Sequence, residues 1–235
     1  MATLENLPPS SETGGSRTVR DGPTVCVFCG ASAGKSPAHL EAARKLAHIF
    51  HANNVSLVYG GGTFGVMGEL ARTLVSLSGP SAVHGIIPAA LVRNEVQYDS
   101  SQADDVRKTI DDKVFGRTTV VKDMHERKGL MAREVIDGKP GSGFVALSGG
   151  FGTMEELMEV TTWNQLGIHD RPVILFNIEG YWDGLLQWLQ HAIDAGFVDE
   201  SQKSILAEAK TEEEVMDTLK NYNLSRGRLQ LKWER

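Results

Sequence analysis

Phe144–Glu156, FVALSGGFGTMEE, passes from an apolar strand pattern through a double-glycine turn into the start of a helix. Glycine permits the sharp strand-to-helix turn, and the first turn of a helix presents unpaired N–H groups at a positive dipole end. That arrangement suits a phosphate. Glu155 and Glu156 follow at once, so a carboxylate pair stands one helical turn from the expected anion site. A second stretch repeats the layout: Val55–Tyr59 leads into Gly60-Gly61-Gly62-Thr63-Phe64-Gly65 and then into a helical pattern. An anion site beside acidic groups suits cutting a nucleotide better than merely holding one.

Working outward, β-rich apolar runs recur at Val25–Cys29, Val55–Tyr59, Ala82–Ile87, Thr118–Val121, Phe144–Leu147 and Val173–Ile178. Helical spacing fills Pro37–His51, Val66–Ser78, Asp123–Asp137, Thr153–Leu166 and Tyr181–Ala195. This alternation predicts an α/β fold, a doubly wound parallel sheet with helices on both faces. Continuous apolar strands fit a sheet covered on both sides. Ligands of such sheets bind outside the strand C-termini, where both glycine turns fall. Ser201–Ala209 and Thr211–Tyr222 are expected to form two short helices, the second opened by the capping box Thr211-Glu212-Glu213-Glu214. Ala89–Lys113 reads as a charged surface excursion carrying one short helix.

The 235 residues suffice for one large domain, and 41% hydrophobic with 23% charged residues is ordinary for a globular chain. A formal charge of −6 speaks against a nucleic-acid surface. No run approaches the ~18 apolar residues of a membrane helix. Met1–Asp21 is rich in Ser, Thr, Gly, Pro and Glu and lacks an apolar h-region. The expected organisation is a disordered tail over 1–22, not a signal peptide, one domain over 23–222, and a loosely held basic tail over 223–235. Cys26 and Cys29, the two cysteines, have C-x-x-C spacing but lie in a strand-like run, where i and i+3 point to opposite faces. They are expected to be structural, with no metal site and a cytoplasmic location.

Several motif-like stretches need weighing. Gly60–Gly65 satisfies G-x-G-x-x-G, yet the following strand, Ala82–Ile87, ends in Pro88 with no acidic residue for a ribose, which disfavours NAD. Gly30-Ala31-Ser32-Ala33-Gly34-Lys35-Ser36 imitates a P-loop but is one residue too short. Three glycine turns at three strand ends nonetheless imply a shared cleft. Arg127 and Lys128 open a helix within Met124-His125-Glu126-Arg127-Lys128, where cations oppose the dipole unless an anion binds nearby. His125 and Glu126 read as structural or solvated. Successive helical residues differ by about 100°, so Glu155 and Glu156 diverge: one can reach a ligand while the other meets Arg127 or a neighbour. Trp163, Leu166 and Ile168 read as core or subunit contacts.

Taken together, Tyr59–Gly68 (YGGGTFGVMG), Asp123–Lys128 (DMHERK) and Gly149–Glu156 (GGFGTMEE) resemble the Lonely Guy family of cytokinin-activating phosphoribohydrolases. Val27–Gly30 (VFCG) and Trp163–Gly167 (WNQLG) extend the resemblance, which covers Thr24 to Tyr222. Ser148 departs from the family's usual Pro before the double glycine, and Lys139–Gly143 is an unusual insertion. The resemblance implies a single Rossmann-like domain that hydrolyses N6-modified adenosine 5′-monophosphates to free base and ribose 5-phosphate. It places catalytic roles on Arg127 and Glu156. Substrate contacts are expected from Gly149, Gly150, Gly152, Thr153, Glu155, Lys128, Met124, Gly60, Gly61, Gly62, Gly30 and Ser32, with no metal and no cofactor. A carboxylate near the ribose suits the positive charge that develops as an N-glycosidic bond breaks. The resemblance also implies a homodimer or larger assembly acting on a small-molecule nucleotide, with no nucleic-acid or membrane partner. Two other readings remain to be weighed: a non-catalytic purine-nucleotide sensor, and a decarboxylase whose Schiff-base lysine would have to be Lys128.

Overall fold

The structure, a computed structural model, describes residues 22–95, 110–231 and 233. The expected N-terminal tail and most of the charged excursion lie outside the described residues. Among the described residues seven strands form one sheet: β1 (Thr24–Phe28), β2 (Ser56–Tyr59), β3 (Val83–Pro88), β4 (Arg117–Val121), β5 (Gly143–Ala146), β6 (Val173–Phe176) and β7 (Leu206–Ala209). All pairings are parallel, in the order β4-β3-β2-β1-β5-β6-β7. Parallel neighbours need crossover connections, and helices supply them. They are α1 (Ala38–Ala52), α2 (Gly65–Ser78), α3 (Ala89–Glu95), α4 (Asp112–Phe115), α5 (Met124–Ile136), α6 (Phe151–Gln165), α7 (Asp183–Asp194) and α8 (Glu212–Asn221).

The period of two along β1 divides the core. Val25 and Val27 pack with Leu46 of α1, Leu70 of α2 and Leu219 of α8. Cys26 and Phe28 pack with Met131 of α5, Leu157 of α6 and Leu189 of α7 on the other face. Cys26 and Cys29 are free, buried and assigned to opposite faces, as their spacing predicts. Both sheet faces are therefore covered, which explains why β3 and β5 are buried at every position. Val25 of β1 pairs with Leu57 of β2 on one side and with Gly143 of β5 on the other. The chain leaves β1 in one direction and returns on its other side. That reversal opens a crevice above the C-termini of β1 and β5.

Ser201–Ala209 is not the helix expected from its spacing. The Asp199 side chain accepts from Ser201 N–H and starts a 3-10 turn over Glu200–Ile205, after which Leu206–Ala209 forms the edge strand β7. Leu206 reaches one core and Ala209 the other, a period-two signal too short to stand out in the sequence. The 3-10 turn after β6 contains Glu179 at φ 52, so the run Val173–Ile178 stops as a strand at Phe176. The capping box of α8 forms, with Thr211 accepting from Glu214 N–H. The Lys139–Gly143 insertion turns at the N-terminal end of β5, away from the crevice, and Ser142 N–H donates to the Lys139 carbonyl at 3.0 Å.

The segment after α8 is tied down where a loose tail was expected. Leu229 N–H donates to the Gln165 carbonyl at 2.8 Å, Trp233 Nε1 to Leu166 at 3.0 Å and Arg228 Nε to Asn164 at 2.9 Å. These are carbonyls at the C-terminal end of α6, where a helix leaves acceptors without intrahelical partners; the Asn164 carbonyl also accepts from Gly167 N–H at 3.0 Å. Arg228 Nη2 also reaches the His169 carbonyl. A cation is favourable at this helix end. Arg228→Ala is expected to lower Tm by about 3 °C, corresponding to about 1–2 kcal/mol for these hydrogen bonds. Differential scanning calorimetry reads the change, and an unchanged Tm would show that the strap contributes nothing.

Candidate active site

Two of the glycine turns meet at the crevice. Gly30, just beyond β1, donates its N–H to the Ser148 carbonyl beyond β5 at 3.0 Å. A Cβ on Gly149 would stand 2.0 Å from Thr153 Oγ1 and 2.9 Å from Gly30 N, so only glycine lets the two turns close. Gly150 caps α6, and Gly150, Gly152 and Thr153 line a cavity of about 530 Å³. Gly30, Ser32, Met124, Arg127, Gly149 and Glu156 line it as well.

Gly60, Gly61, Gly62, Lys128 and Glu155 do not line the cavity. Gly60 serves it at one remove: a Cβ there would fall 2.1 Å from Arg127 Nη2. The glycine vacates the space that the guanidinium occupies. Gly61, at φ 75, packs on Ile87, where a Cβ would come within 2.9 Å. His125 is exposed and lies away from the cavity. Glu126, read from sequence as solvated, completes the cap of α5: its N–H donates to Asp123 and its carboxylate accepts from Lys122 N–H, both at 2.9 Å. That cap offsets cations in the first turn.

Arg127 and Glu156 form the ion pair of the cavity wall. Nη2 donates to Oε1 at 2.9 Å, and the residues are 8% and 6% exposed. Arg127 Nε is buried with no partner among the described residues. Burial pushes the Glu156 carboxyl above its usual value; the Arg127 guanidinium opposes this and the Glu155 charge adds to it. The attraction thus fails to cancel the desolvation of the carboxylate. Glu155 points elsewhere, as helical geometry requires, and with Glu159 it binds Lys128. Burial acts to lower the Lys128 pKa, but these two carboxylates outweigh it and hold the ammonium above its ordinary value. Among the lining residues that the sequence reading did not assign to the site, His39, Tyr181 and Ser148 carry polar groups that bond within the wall. His39 enters from α1, Tyr181 sits before α7 with its hydroxyl donating to the Gly149 carbonyl, and Ser148 Oγ lies 3.0 Å from His39 Nδ1. The signal available was position, since Ser148 and Tyr181 each follow a strand C-terminus.

A family profile described as "Possible lysine decarboxylase" matches residues 67–219. The cytokinin riboside 5′-monophosphate phosphoribohydrolase LOG1 of Arabidopsis thaliana is 38% identical over 198 residues, 84% of this chain and 83% of that one. The chain belongs to the Lonely Guy family. Another Lonely Guy relative, a bifunctional cytokinin biosynthesis protein of Fusarium pseudograminearum, is 54% identical over 195 residues. That match takes in 83% of this chain and 39% of the longer relative. The Lonely Guy sheet also superposes on the molybdenum cofactor binding protein of Rippkaea orientalis with a TM-score of 0.57 at 20% identity, covering 85% of this chain and 96% of that one. That likeness concerns the fold alone.

Removing Arg127 removes the influence that lowers the Glu156 pKa, so the carboxyl rises further. A group whose pKa is higher folded than unfolded binds its proton more tightly in the folded state, and its contribution to stability falls as pH rises. Arg127→Met is therefore expected to lose more Tm relative to the parent at pH 7.5 than at pH 5.0, by a few degrees. A gap that stays constant across this range would contradict the reading of Glu156 as a desolvated carboxyl.

Proposed function

We propose that this protein hydrolyses the N-glycosidic bond of N6-modified adenosine 5′-monophosphates, and of unmodified AMP as well, releasing free base and ribose 5-phosphate. The observation that carries the reading is the Glu156 carboxyl, buried on the wall of a nucleotide-sized cavity, raised in pKa and paired with Arg127. Membership of the Lonely Guy family supports it, as does the Arabidopsis relative named for this activity. In the proposed reaction the 5′-phosphate sits at the N-terminus of α6, against Gly149, Gly150, Gly152 and Thr153. As the C1′–N bond lengthens, positive charge grows on the ribose and the Glu156 carboxylate stabilises it. Water then adds its oxygen to C1′ as the C1′–N bond breaks, Glu156 orienting that water; the bonding pair leaves on the base nitrogen, and the proton shed by the water balances the one the base takes up. Arg127 keeps the carboxylate ionised and in place. Gly30, Ser32 and Met124 complete the walls; Gly60, Gly61 and Gly62, with Lys128 and Glu155, act from behind as support.

The working unit of this proposal is residues 23–222, assembled as a homodimer or larger. Met124, Phe151 and Met154 support assembly: they are 38%, 98% and 37% exposed, and all three stand on the N-terminal turns of α5 and α6. Among the described residues no helix is long and apolar enough to cross a membrane. A cytoplasmic location fits the two free cysteines. A decarboxylase is disfavoured by Lys128, because a Schiff-base lysine needs a depressed pKa and this one is held up by Glu155 and Glu159.

Chromatography after incubation with isopentenyladenosine monophosphate, its riboside and AMP tests the proposal. Free base is expected from the monophosphates, with Glu156→Gln slower by about 10³-fold, the scale of losing one transition-state charge partner. The acid limb of kcat/KM is expected above the ordinary carboxylate range and should move to higher pH in Arg127→Met, since the guanidinium lowers the Glu156 pKa. Tight nucleotide binding without any release of base would leave a sensor in place of an enzyme.

A further inference from the structure

His39, the second residue of α1, lines the cavity with its ring fixed on three sides. Nδ1 lies 3.0 Å from Ser148 Oγ. The Tyr181 ring meets it edge-on, with centroids 5.9 Å apart and planes at 78°. Cδ2 rests on Gly34, where a Cβ would come within 2.9 Å; Gly34 also has φ 75, so space and backbone both require glycine. The Tyr181 hydroxyl in turn binds the Gly149 carbonyl. The imidazole is thereby held beside the Ser148–Gly149 peptide, one step before the N-terminus of α6. Its Nε2 has no partner among the described residues. A serine hydroxyl can donate or accept. When Ser148 donates to Nδ1, the ring hydrogen resides on Nε2 and is available to an acceptor.

We infer that His39 binds the 5′-phosphate of the substrate through Nε2–H, and that Ser148 is the positioning residue that sets its tautomer. The inference rests on the phosphoribohydrolase reading for the identity of the anion. A phosphate offers more acceptor positions than a helix N-terminus can fill from one side, and Arg127 already commits Nη2 to Glu156. The imidazole supplies a directed donor at the wall formed by Ser148 and Tyr181. The Ser148 hydroxyl is the feature in which this chain departs from the proline expected at that turn, and proline could not orient the ring.

Two amides separate the ring nitrogens. His39→Asn keeps a group near the Nδ1 position and loses the reach of Nε2; His39→Gln does the reverse. Calorimetric titration of the full chain with ribose 5-phosphate is expected to give a Kd about tenfold weaker in His39→Asn, the scale of one hydrogen bond to a charged acceptor. His39→Gln should retain more of the affinity, and Ser148→Ala should weaken binding about threefold as the ring loses its tautomer restraint. In turnover, KM for the monophosphates should rise while kcat stays within about threefold, and any slow cleavage of the riboside should be untouched. Unchanged ribose 5-phosphate affinity in His39→Asn, better retention by Asn than by Gln, or equal losses for riboside and monophosphate would each overturn the inference. If the parent cleaves no nucleotide yet His39→Asn still weakens ribose 5-phosphate, the proposed reaction fails and the phosphate contact stands.

Discussion

Backbone meets backbone where β1 and β5 end, and that junction places everything around the cavity. The Gly30 N–H lies 3.0 Å from the Ser148 carbonyl, and the Gly30 carbonyl accepts from Met67 N–H of α2 at 3.2 Å. A Cβ on Gly65 would come within 2.4 Å of Ala31 C, so α2 also approaches the β1 turn through glycine. Side chains would hold these elements several ångströms apart and let water between them. Peptide contact instead gives the cavity a floor of fixed dipoles, with little reorganisation left to occur when charge develops above it. The reversal of strand order beside β1 makes the crevice. The glycines decide how narrow it is.

On that floor the fold maintains a carboxylate under unfavourable conditions. Removing two ions from water costs several kcal/mol each, and only close pairing offsets it. Arg127 and Glu156 pair at 2.9 Å, yet burial still dominates the carboxyl. Core packing alone would be served better by two apolar side chains, so the pair is an expense borne by the rest of the molecule. Such arrangements cluster where chemistry is done. The neighbouring pair shows the contrast: Glu155 is half exposed, and together with Glu159 it merely anchors Lys128. Two consecutive glutamates thus have opposite environments because a helix turns by about 100° per residue.

The sheet was legible because β5 and β6 are apolar without interruption, a pattern that a strand buried on both faces needs and a surface strand does not. β7 was not, since four edge residues buried only at their two ends carry too little pattern to compete with helical spacing. Arg127 could be singled out as a cation in the first turn of α5, and the Glu155–Glu156 pair by its place just past the double-glycine turn, the choice of Glu156 coming from the family resemblance. His39 and Tyr181 could not. They reach the Ser148–Gly149 peptide from positions 109 and 32 residues away in the chain, and no local pattern announces a tertiary approach of that kind. The strap over α6 was hidden for the same reason: Arg228 and Leu229 look like a loose basic end until the C-terminal carbonyls of α6 stand beside them.

Motif spacing alone misleads at this site, and the steric role of each glycine corrects it. The fingerprint-like turn Gly60–Gly65 has glycines where a dinucleotide loop would, but Gly60 makes room for Arg127, Gly61 for Ile87 and Gly65 for the Ala31–Ser32 backbone. None of the three lines the cavity. In the P-loop-like turn, Gly34 makes room for His39. Only Gly149–Thr153 combines glycines, a helix N-terminus and the cavity in one place. A glycine in such a pattern is informative about what comes close to it, and here that is a side chain at Gly34, Gly60 and Gly61 and a second backbone at Gly65. The acidic partner missing after β3 and the residue missing between Gly30 and Gly34 follow from the same fact, because these turns never had to satisfy the ligand whose motif they resemble.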